Sequence, residues 1–210
     1  MKRIIFSAAI ALALTACNNQ QAKVETVTCE NTAMTDCDLT FDGIHFTKAL
    51  NGADTLVTDS AGVVMFRANP KSDFFIDPND GSFTQTSAAV LLSEVDNTKP
   101  FAFTAKVGAD FANSTVYDGA VIFVYSTDSL WQKMCFEHDE SAGHRVITVR
   151  TVGKSDDNNH DAIPSDVKSI YFKISSDTHT VASYYSLDGM DWLMVRCNEN
   201  IYPSRLYLGI

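Results

Sequence analysis

Residues 131–138 place an indole ring, an ammonium group and a carboxylate at alternating positions of one short segment. If this segment is a β-strand, alternate side chains project from the same face, so Trp131, Lys133 and Glu137 lie together with Cys135 among them. The combination suits a sugar, because an aromatic ring packs against the apolar face of a pyranose while charged groups bond its hydroxyls. We therefore expect a glycan-binding site here. The structural alternative is a Trp131 that packs in the core beside a solvated Lys133–Glu137 pair.

A second group of polar residues, 155–160, is expected to form a loop beside this strand. Asp156 and Asp157 would add carboxylates to the predicted glycan site, and Arg150 would add a cation from the preceding strand. The same loop, or residues 77–81, could instead coordinate calcium, which takes six to eight oxygen ligands. The structural alternative for residues 155–160 is an Asx turn capped by its own side chains. Residues 77–81 share part of an EF-hand loop but lack its later glutamate, because position 88 is alanine. Calcium stays an open alternative, and we assign no metal ligands and no cofactor.

Glycoside hydrolysis or lysis is the enzymatic alternative to binding alone. A glycosidase needs two carboxyl groups about 5–10 Å apart. Acids at every second position of a strand share one face, but here Glu137 and Asp139 are followed by Glu140, which a regular strand turns to the opposite face. Glu137 could still act as an acid or base with Asp156 or Asp157. The third alternative is a structural envelope protein that binds a protein partner.

The segments that must position these residues have the pattern of β-strands. Residues 101–107 and 170–174 alternate between apolar and polar side chains, and residues 120–125 are apolar on both faces, as in the centre of a sheet. Turn-forming sequences, such as residues 153–159 and 186–189, separate the strands. Many short strands with a turn about every 8–15 residues predict an all-β fold, either a two-sheet sandwich or a jelly roll.

The amino terminus predicts a lipoprotein signal peptide over residues 1–16. A basic start precedes an apolar run at residues 4–14, which is shorter than the roughly 20 residues that span a bilayer. Residues 14–17, Leu-Thr-Ala-Cys, resemble a bacterial lipobox, which implies cleavage before Cys17 and acylation there, including palmitate. We therefore expect a lipid-anchored, extracytoplasmic protein of the bacterial envelope. In a Gram-negative cell, Asn18 favours the outer membrane.

The net charge of the chain excludes one class of partner, and its sequence predicts the domain bounds. The chain has 26 acidic and 16 basic residues, and its net charge of −10 would repel nucleic acid. Contact with the membrane is expected through the lipid anchor alone. Residues 17–37 are expected to be the lipidated cysteine and a tether, and residues 38–210 the folded domain.

Four cysteines follow the lipidation site. Cys29 and Cys37 are close enough in sequence to form a disulfide across a loop, which an oxidising compartment would permit. Cys135 and Cys197 leave the pairing open, because four cysteines allow three connectivities.

Several sequence phrases occur in the order found in one known family. They are residues 66–70, 72–78, 117–120, 131–137, 155–158 and 185–192, with Arg196. Together they resemble the concanavalin A-like domain of unknown function 1349, also labelled "regulation of enolase protein". The resemblance covers about residues 40–210 and implies a jelly-roll β-sandwich of two antiparallel sheets. Its concave face is the place where relatives of the superfamily often hold sugars.

The carboxyl end departs from the family pattern. In the family, the strand that matches residues 205–210 is followed by a further segment and a closing strand. This chain stops at Ile210, so either the copy is shortened and lacks its closing strand, or its edge is completed in another way. An uncovered edge strand can pair with another chain, so a homodimer through such an edge and a poorly stable fold are both open alternatives.

Overall fold

A computed structural model describes residues 34–111, 116–141 and 143–210, and nearly every regular element in them is a β-strand. In chain order the elements are β1 (Met34–Phe41), β2 (Ile44–Leu50), α1 (Ala53–Leu56), β3 (Val57–Ser60), β4 (Val63–Phe66), β5 (Phe74–Ile76), β6 (Thr84–Thr86), β7 (Val90–Asp96), β8 (Phe101–Gly108), β9 (Gly119–Thr127), β10 (Leu130–His138), β11 (His144–Val152), β12 (Lys154–Ile163), β13 (Ser169–Ser176), β14 (Thr180–Ser186), β15 (Leu193–Glu199) and β16 (Arg205–Gly209). The all-β prediction is confirmed.

The strands form two principal antiparallel sheets. The larger sheet has eight strands in the order β1-β2-β7-β16-β9-β10-β11-β12, and the smaller has four in the order β15-β14-β13-β8. Two short hairpins, β3–β4 and β5–β6, complete the described elements. The strand over residues 120–125 lies between β16 and β10, in the interior of the larger sheet as its two apolar faces predict.

The principal core lies between the two sheets. Strand alternation turns Met134 and Phe136 of β10 inward, where they meet Ile170, Phe172 and Ile174 of β13. All five side chains are buried. Burying each apolar side chain of this size contributes roughly 1.5–3 kcal/mol, so this interface is the main source of stability.

A second apolar cluster covers the opposite face of the larger sheet. Phe123 of β9, Trp131 and Cys135 of β10 and Ile147 of β11 share it with Phe74 from the β5–β6 hairpin. Because the hairpin lies over these residues, the central strands are buried on both faces. The outer face of the larger sheet is therefore not the open surface that a bare two-sheet sandwich would offer.

Two sequence expectations about element positions differ from the structure. Strand β1 begins at Met34, before the domain boundary expected at residue 38. Residues 155–160, expected to be a loop, lie within strand β12, which pairs with β11 beyond a turn at Gly153. The polar side chains suggested a loop, but an edge strand tolerates them because only one of its sides must be covered.

Residues 205–210 do not form an uncovered edge of the larger sheet. Strand β16 pairs with β7 on one side and with β9 on the other, so it lies in the middle of the larger sheet. Gly209 permits this position, because an added Cβ would lie 2.7 Å from the carbonyl oxygen of Leu91. Strand β16 is therefore paired on both sides and is not an edge strand.

Candidate functional site

Strand β10 presents the predicted face. Its alternate residues Lys133, Cys135 and Glu137 point away from the smaller sheet, whereas Met134 and Phe136 point towards it. In the register of β10, β11 and β12, Lys133 is opposite Val149, which is opposite Asp157. Asp157 therefore lies on the same face as Lys133 and Glu137, two strands away from them.

Trp131 belongs to the same face but cannot stack on a sugar. Its side chain has no exposed surface, and its ring meets Phe74 edge to face, with 5.7 Å between the ring centroids. The indole N–H donates a hydrogen bond of 3.0 Å to the carbonyl oxygen of Asp128. The stacking role expected for Trp131 is wrong, because the β5–β6 hairpin covers the ring.

The charged residues of this face form a compact group, here called the Lys133 cluster: Asp73, Lys133, Glu137 and Asp157, around the Cys135 thiol. Lys133 Nζ donates a hydrogen bond of 2.7 Å to Asp73 Oδ1. Asp73 lies just before β5, so the hairpin that covers Trp131 also supplies the partner of the buried ammonium. Lys133 and Glu137 are buried, whereas Asp157 is exposed at the sheet edge.

The electrostatics of the cluster follow from burial among like charges. Burial raises the pKa of Glu137 to about 7; the Lys133 ammonium opposes this rise and the Asp157 charge adds to it. Desolvation likewise raises the pKa of Asp157. Burial lowers the pKa of Lys133, but the neighbouring acidic groups, with the hydrogen-bonded Asp73 carboxylate among them, outweigh it and the net shift is upward. At neutral pH the cluster therefore contains a protonated Lys133 and a Glu137 carboxyl group whose pKa is close to the pH.

The aspartates at positions 156 and 157 point to opposite sides of β12. Asp156 turns towards the smaller sheet, where Arg196 Nη1 donates a hydrogen bond of 3.1 Å to its Oδ2. Arg150 lies directly opposite Asp156 in the β11–β12 register and shares that side. The six predicted ligand-binding residues are therefore divided: Trp131, Lys133, Glu137 and Asp157 lie on one face, and Arg150 and Asp156 on the other. The sequence analysis did not predict this division, because side chains alternate regularly in a strand but not in the loop expected at 155–160.

Asp139, considered above as a further acid, has a structural role. Its Oδ1 accepts hydrogen bonds of 2.9 Å from the backbone N–H groups of Ser141 and Gly143, and its Oδ2 accepts one of 2.8 Å from Arg145 Nε. Burial would raise the pKa of Asp139, but these hydrogen bonds, with that of Gly143 foremost, lower it. Asp139 is thus an ionised cap of the β10–β11 connection.

Asp73 is the residue of the cluster that sequence reasoning missed. It is 60 positions from Lys133 in the chain, and no periodicity links the two. The one signal available was its place in the phrase at residues 72–78, which resembles the family.

In the described part of the chain, no group of three or more His, Cys, Asp or Glu side chains is close enough to hold a metal ion. At residues 77–81, Asp77 Oδ1 and Asp80 Oδ1 accept backbone N–H groups two residues ahead, at 3.0 and 2.8 Å. Lys154 Nζ donates to the Pro78 carbonyl oxygen at 3.0 Å. These are Asx turns tied to strand β12.

The cysteines of the described ranges are thiols. Cys37, Cys135 and Cys197 form no disulfide there, and Cys29, the expected partner of Cys37, lies outside the described residues. Burial raises the pKa of Cys135 well above its ordinary value. Cys135 is therefore protonated and suits a packing role better than a nucleophilic one.

A model of the family described as "Protein of unknown function (DUF1349)" matches residues 50–207. The chain belongs to this family. A model of the prokaryotic membrane lipoprotein lipid attachment site matches residues 1–18, which lie outside the described residues. Cys17 and the expected signal peptide fall within this match. The described part of this DUF1349 protein has no helix long and apolar enough to cross a membrane.

Solved structures with a similar fold include one from yeast and one from a bacterium. A functionally unknown protein from Saccharomyces cerevisiae is similar over 85% of this chain and 84% of its own, with a TM-score of 0.62 and 22% identity. The GH43 protein BlXynB from Bacillus licheniformis is similar over 83% of this chain and 34% of its own, with a TM-score of 0.51 and 14% identity. At these identities the likeness concerns the fold. A comparison with curated protein sequences gives no significant match.

Proposed function

We propose that this DUF1349 protein is a lipid-anchored, extracytoplasmic module of the bacterial cell envelope that binds a glycan without cleaving it. The lipid attachment site supports the anchoring, and the outer membrane is its expected location in a Gram-negative cell. The observation that carries the binding proposal is the Lys133 cluster. Burying an ammonium group among three carboxyl groups costs free energy, so stability alone does not account for the cluster.

The cluster offers what a polyhydroxyl ligand needs. The exposed Asp157 carboxylate can accept hydrogen bonds from ligand hydroxyls, and the protonated Glu137 can donate one. Lys133 adds a charge-assisted donor whose position is held by Asp73. Trp131 contributes by packing beneath the hairpin that carries Asp73, not by stacking on the sugar.

The first experiment compares two neighbouring aspartates on one strand. Asp157→Asn removes a carboxylate from the proposed binding face, while Asp156→Asn makes the same change on the other face. We expect the full chain in detergent to bind particular glycans on an array. Asp157→Asn should weaken that binding about 10-fold, the value of one charge-assisted hydrogen bond, and Asp156→Asn should leave it unchanged. No glycan binding, or equal loss in both variants, would contradict the proposal.

One observation favours a second candidate, a carbohydrate-active enzyme. A carboxyl group with a pKa near 7 can donate a proton while a second carboxylate stabilises charge, and Glu137 has such a pKa on the face that also carries the exposed Asp157. The glycan identified on the array is the substrate to test. Turnover by the wild type that is lost in Glu137→Gln while binding is kept would establish the enzyme. Binding without turnover supports the non-catalytic module.

A further inference from the structure

A second polar site lies between the two sheets, at the edge where β12 faces β15. Arg150 and Asp156 of the larger sheet meet Arg196 of the smaller one here. Arg196 donates from Nε to Thr148 Oγ1 at 3.1 Å and from Nη1 to Asp156 Oδ2 at 3.1 Å. Arg196 therefore engages the Asp156 carboxylate, whereas Arg150, which is opposite Asp156 in the strand register, forms no ion pair with it.

Arg150 has no counter-ion in the described part of the chain. It forms none of the ion pairs there, and its buried Nε has no hydrogen-bond partner among the described residues. A buried N–H of a charged group without a partner is costly, and such groups in native proteins are normally completed by a bound molecule or by water.

Two more unpartnered atoms lie beside this guanidinium. Gln132 is opposite Arg150 in the β10–β11 register and has no exposed surface; its Nε2 donates to Ser183 Oγ at 2.8 Å, while its Oε1 has no partner among the described residues. The Tyr202 hydroxyl is also buried and unpartnered within the described ranges. Burial raises the pKa of Tyr202, and the charges of Arg150 and Arg196 oppose that rise, so the hydroxyl is within electrostatic range of both cations.

These groups can all present donors to one point. The Gln132 amide can turn over and keep Ser183, because the serine hydroxyl can donate to Oε1 as well as accept from Nε2. Nε2 then joins Arg150 Nε and the Tyr202 hydroxyl as a donor. With two guanidinium charges and one carboxylate, the site keeps a net positive charge within an acidic protein.

We propose that this inter-sheet site binds an oxyanion, the carboxylate or phosphate group of a ligand, between Arg150, Tyr202 and Gln132. A planar guanidinium matches the geometry of an oxyanion better than that of a spherical ion. Entry is from the sandwich edge, where the Asp156 side chain is 71% exposed and Arg196 only 13%. The site is on the other side of the larger sheet from the Lys133 cluster, so its occupancy is independent of glycan binding.

The test is calorimetric titration of the full chain in detergent with acetate and, separately, with inorganic phosphate. We expect saturable binding of at least one of them, and the tighter of the two indicates whether the natural group is a carboxylate or a phosphate. Arg150→Met should raise the dissociation constant of the anion at least 10-fold, the loss of affinity expected when a charge-assisted hydrogen bond is removed. Arg205→Met, which removes an exposed arginine, is the matched control and should change nothing.

Tyr202→Phe keeps the test valid if Arg150→Met fails to fold. It removes one buried, unpartnered hydroxyl, so it should leave thermal stability without the anion unchanged or higher while weakening anion binding about 3–10-fold. Absence of saturable binding for both anions overturns the proposal. So does equal affinity in the wild type and Tyr202→Phe, or a crystal structure grown in the anion that shows only water beside Arg150 Nε.

Discussion

At the scale of single residues, the surroundings of each acid decide what it does. Asp139 is buried but ionised, because backbone N–H groups and Arg145 surround it with donors. Glu137 is buried near other acids and lacks such a set, so it retains its proton to a pKa of about 7. Asp157 remains exposed at the edge of β12. Three acids within one region of sequence thus differ: Asp139 is an ionised cap, Glu137 has a raised pKa, and Asp157 is exposed.

Glu137→Gln should change how stability depends on pH. The pKa of Glu137 rises from an ordinary 4.5 to about 7 in the folded state, so between these pH values the folded chain holds a proton that the unfolded chain has released. The contribution of this group is fully present below pH 4.5 and is lost as the pH rises to 7. The loss amounts to about 3 kcal/mol. Because glutamine does not titrate, Glu137→Gln should remove this loss of stability at the higher pH.

Urea unfolding of the wild type and Glu137→Gln at about pH 4.5 and about pH 7.5 measures this difference. The variant should gain stability relative to the wild type at the higher pH. Glu94→Gln, the same change on a partly exposed side chain, is the matched control. Equal pH slopes in all three proteins would show that the burial of Glu137 has no such effect.

At the scale of elements, the β5–β6 hairpin turns a sheet surface into an interior. Phe74 lies at the centre of the second apolar cluster, 5.4 Å from Phe123 and 5.7 Å from Trp131 between ring centroids. Asp73, its neighbour, binds Lys133. One short hairpin therefore both covers the aromatic cluster and positions the ammonium of the proposed glycan site.

Phe74→Ala should destabilise the fold by about 3–5 kcal/mol, because it leaves a cavity among rings that cannot close it. Phe83, which follows β5 and is 52% exposed, provides the matched control. Phe83→Ala should cost less than about 1 kcal/mol, as surface substitutions usually do. Chemical denaturation measures both values, and similar losses in the two variants would mean that the hairpin does not depend on its contact with the sheet.

At the scale of the whole molecule, a lipid attachment site precedes a two-sheet sandwich. The attachment site matches residues 1–18 and the family model matches residues 50–207. The net charge of −10 favours solubility of the folded part over direct contact with an anionic surface. The acyl chains are therefore expected to supply the membrane affinity.

Cys17→Ser should abolish lipid attachment, because the hydroxyl does not replace the thiol as the acylated group. Metabolic labelling with radioactive palmitate should mark the wild type and leave Cys17→Ser unlabelled. Membrane fractionation should show the same difference. Cys37→Ser changes a cysteine of the folded part and should keep the label. Labelled Cys17→Ser protein would place the anchor elsewhere.

Local periodicity accounts for what could be predicted about the fold and part of the site. Alternation in residues 131–137 correctly placed Lys133 and Glu137 on the face opposite Met134 and Phe136, because side chains of any regular strand alternate. It could not show that Phe74 covers Trp131, since a buried and an exposed tryptophan give the same pattern. Nor could it find Asp73, which reaches Lys133 from a distant part of the chain.

By itself, the sequence determined the all-β class, the lipid attachment site and the faces of the central strands, since these depend on short-range patterns. The tertiary structure alone decided that the segment at 155–160 is a strand and that Asp156 and Asp157 point to opposite faces of the larger sheet. It also placed β16 within the larger sheet and the β5–β6 hairpin over its outer face. The physical reason is that pairing and burial join segments far apart in the chain, and no local pattern specifies which segment will cover another.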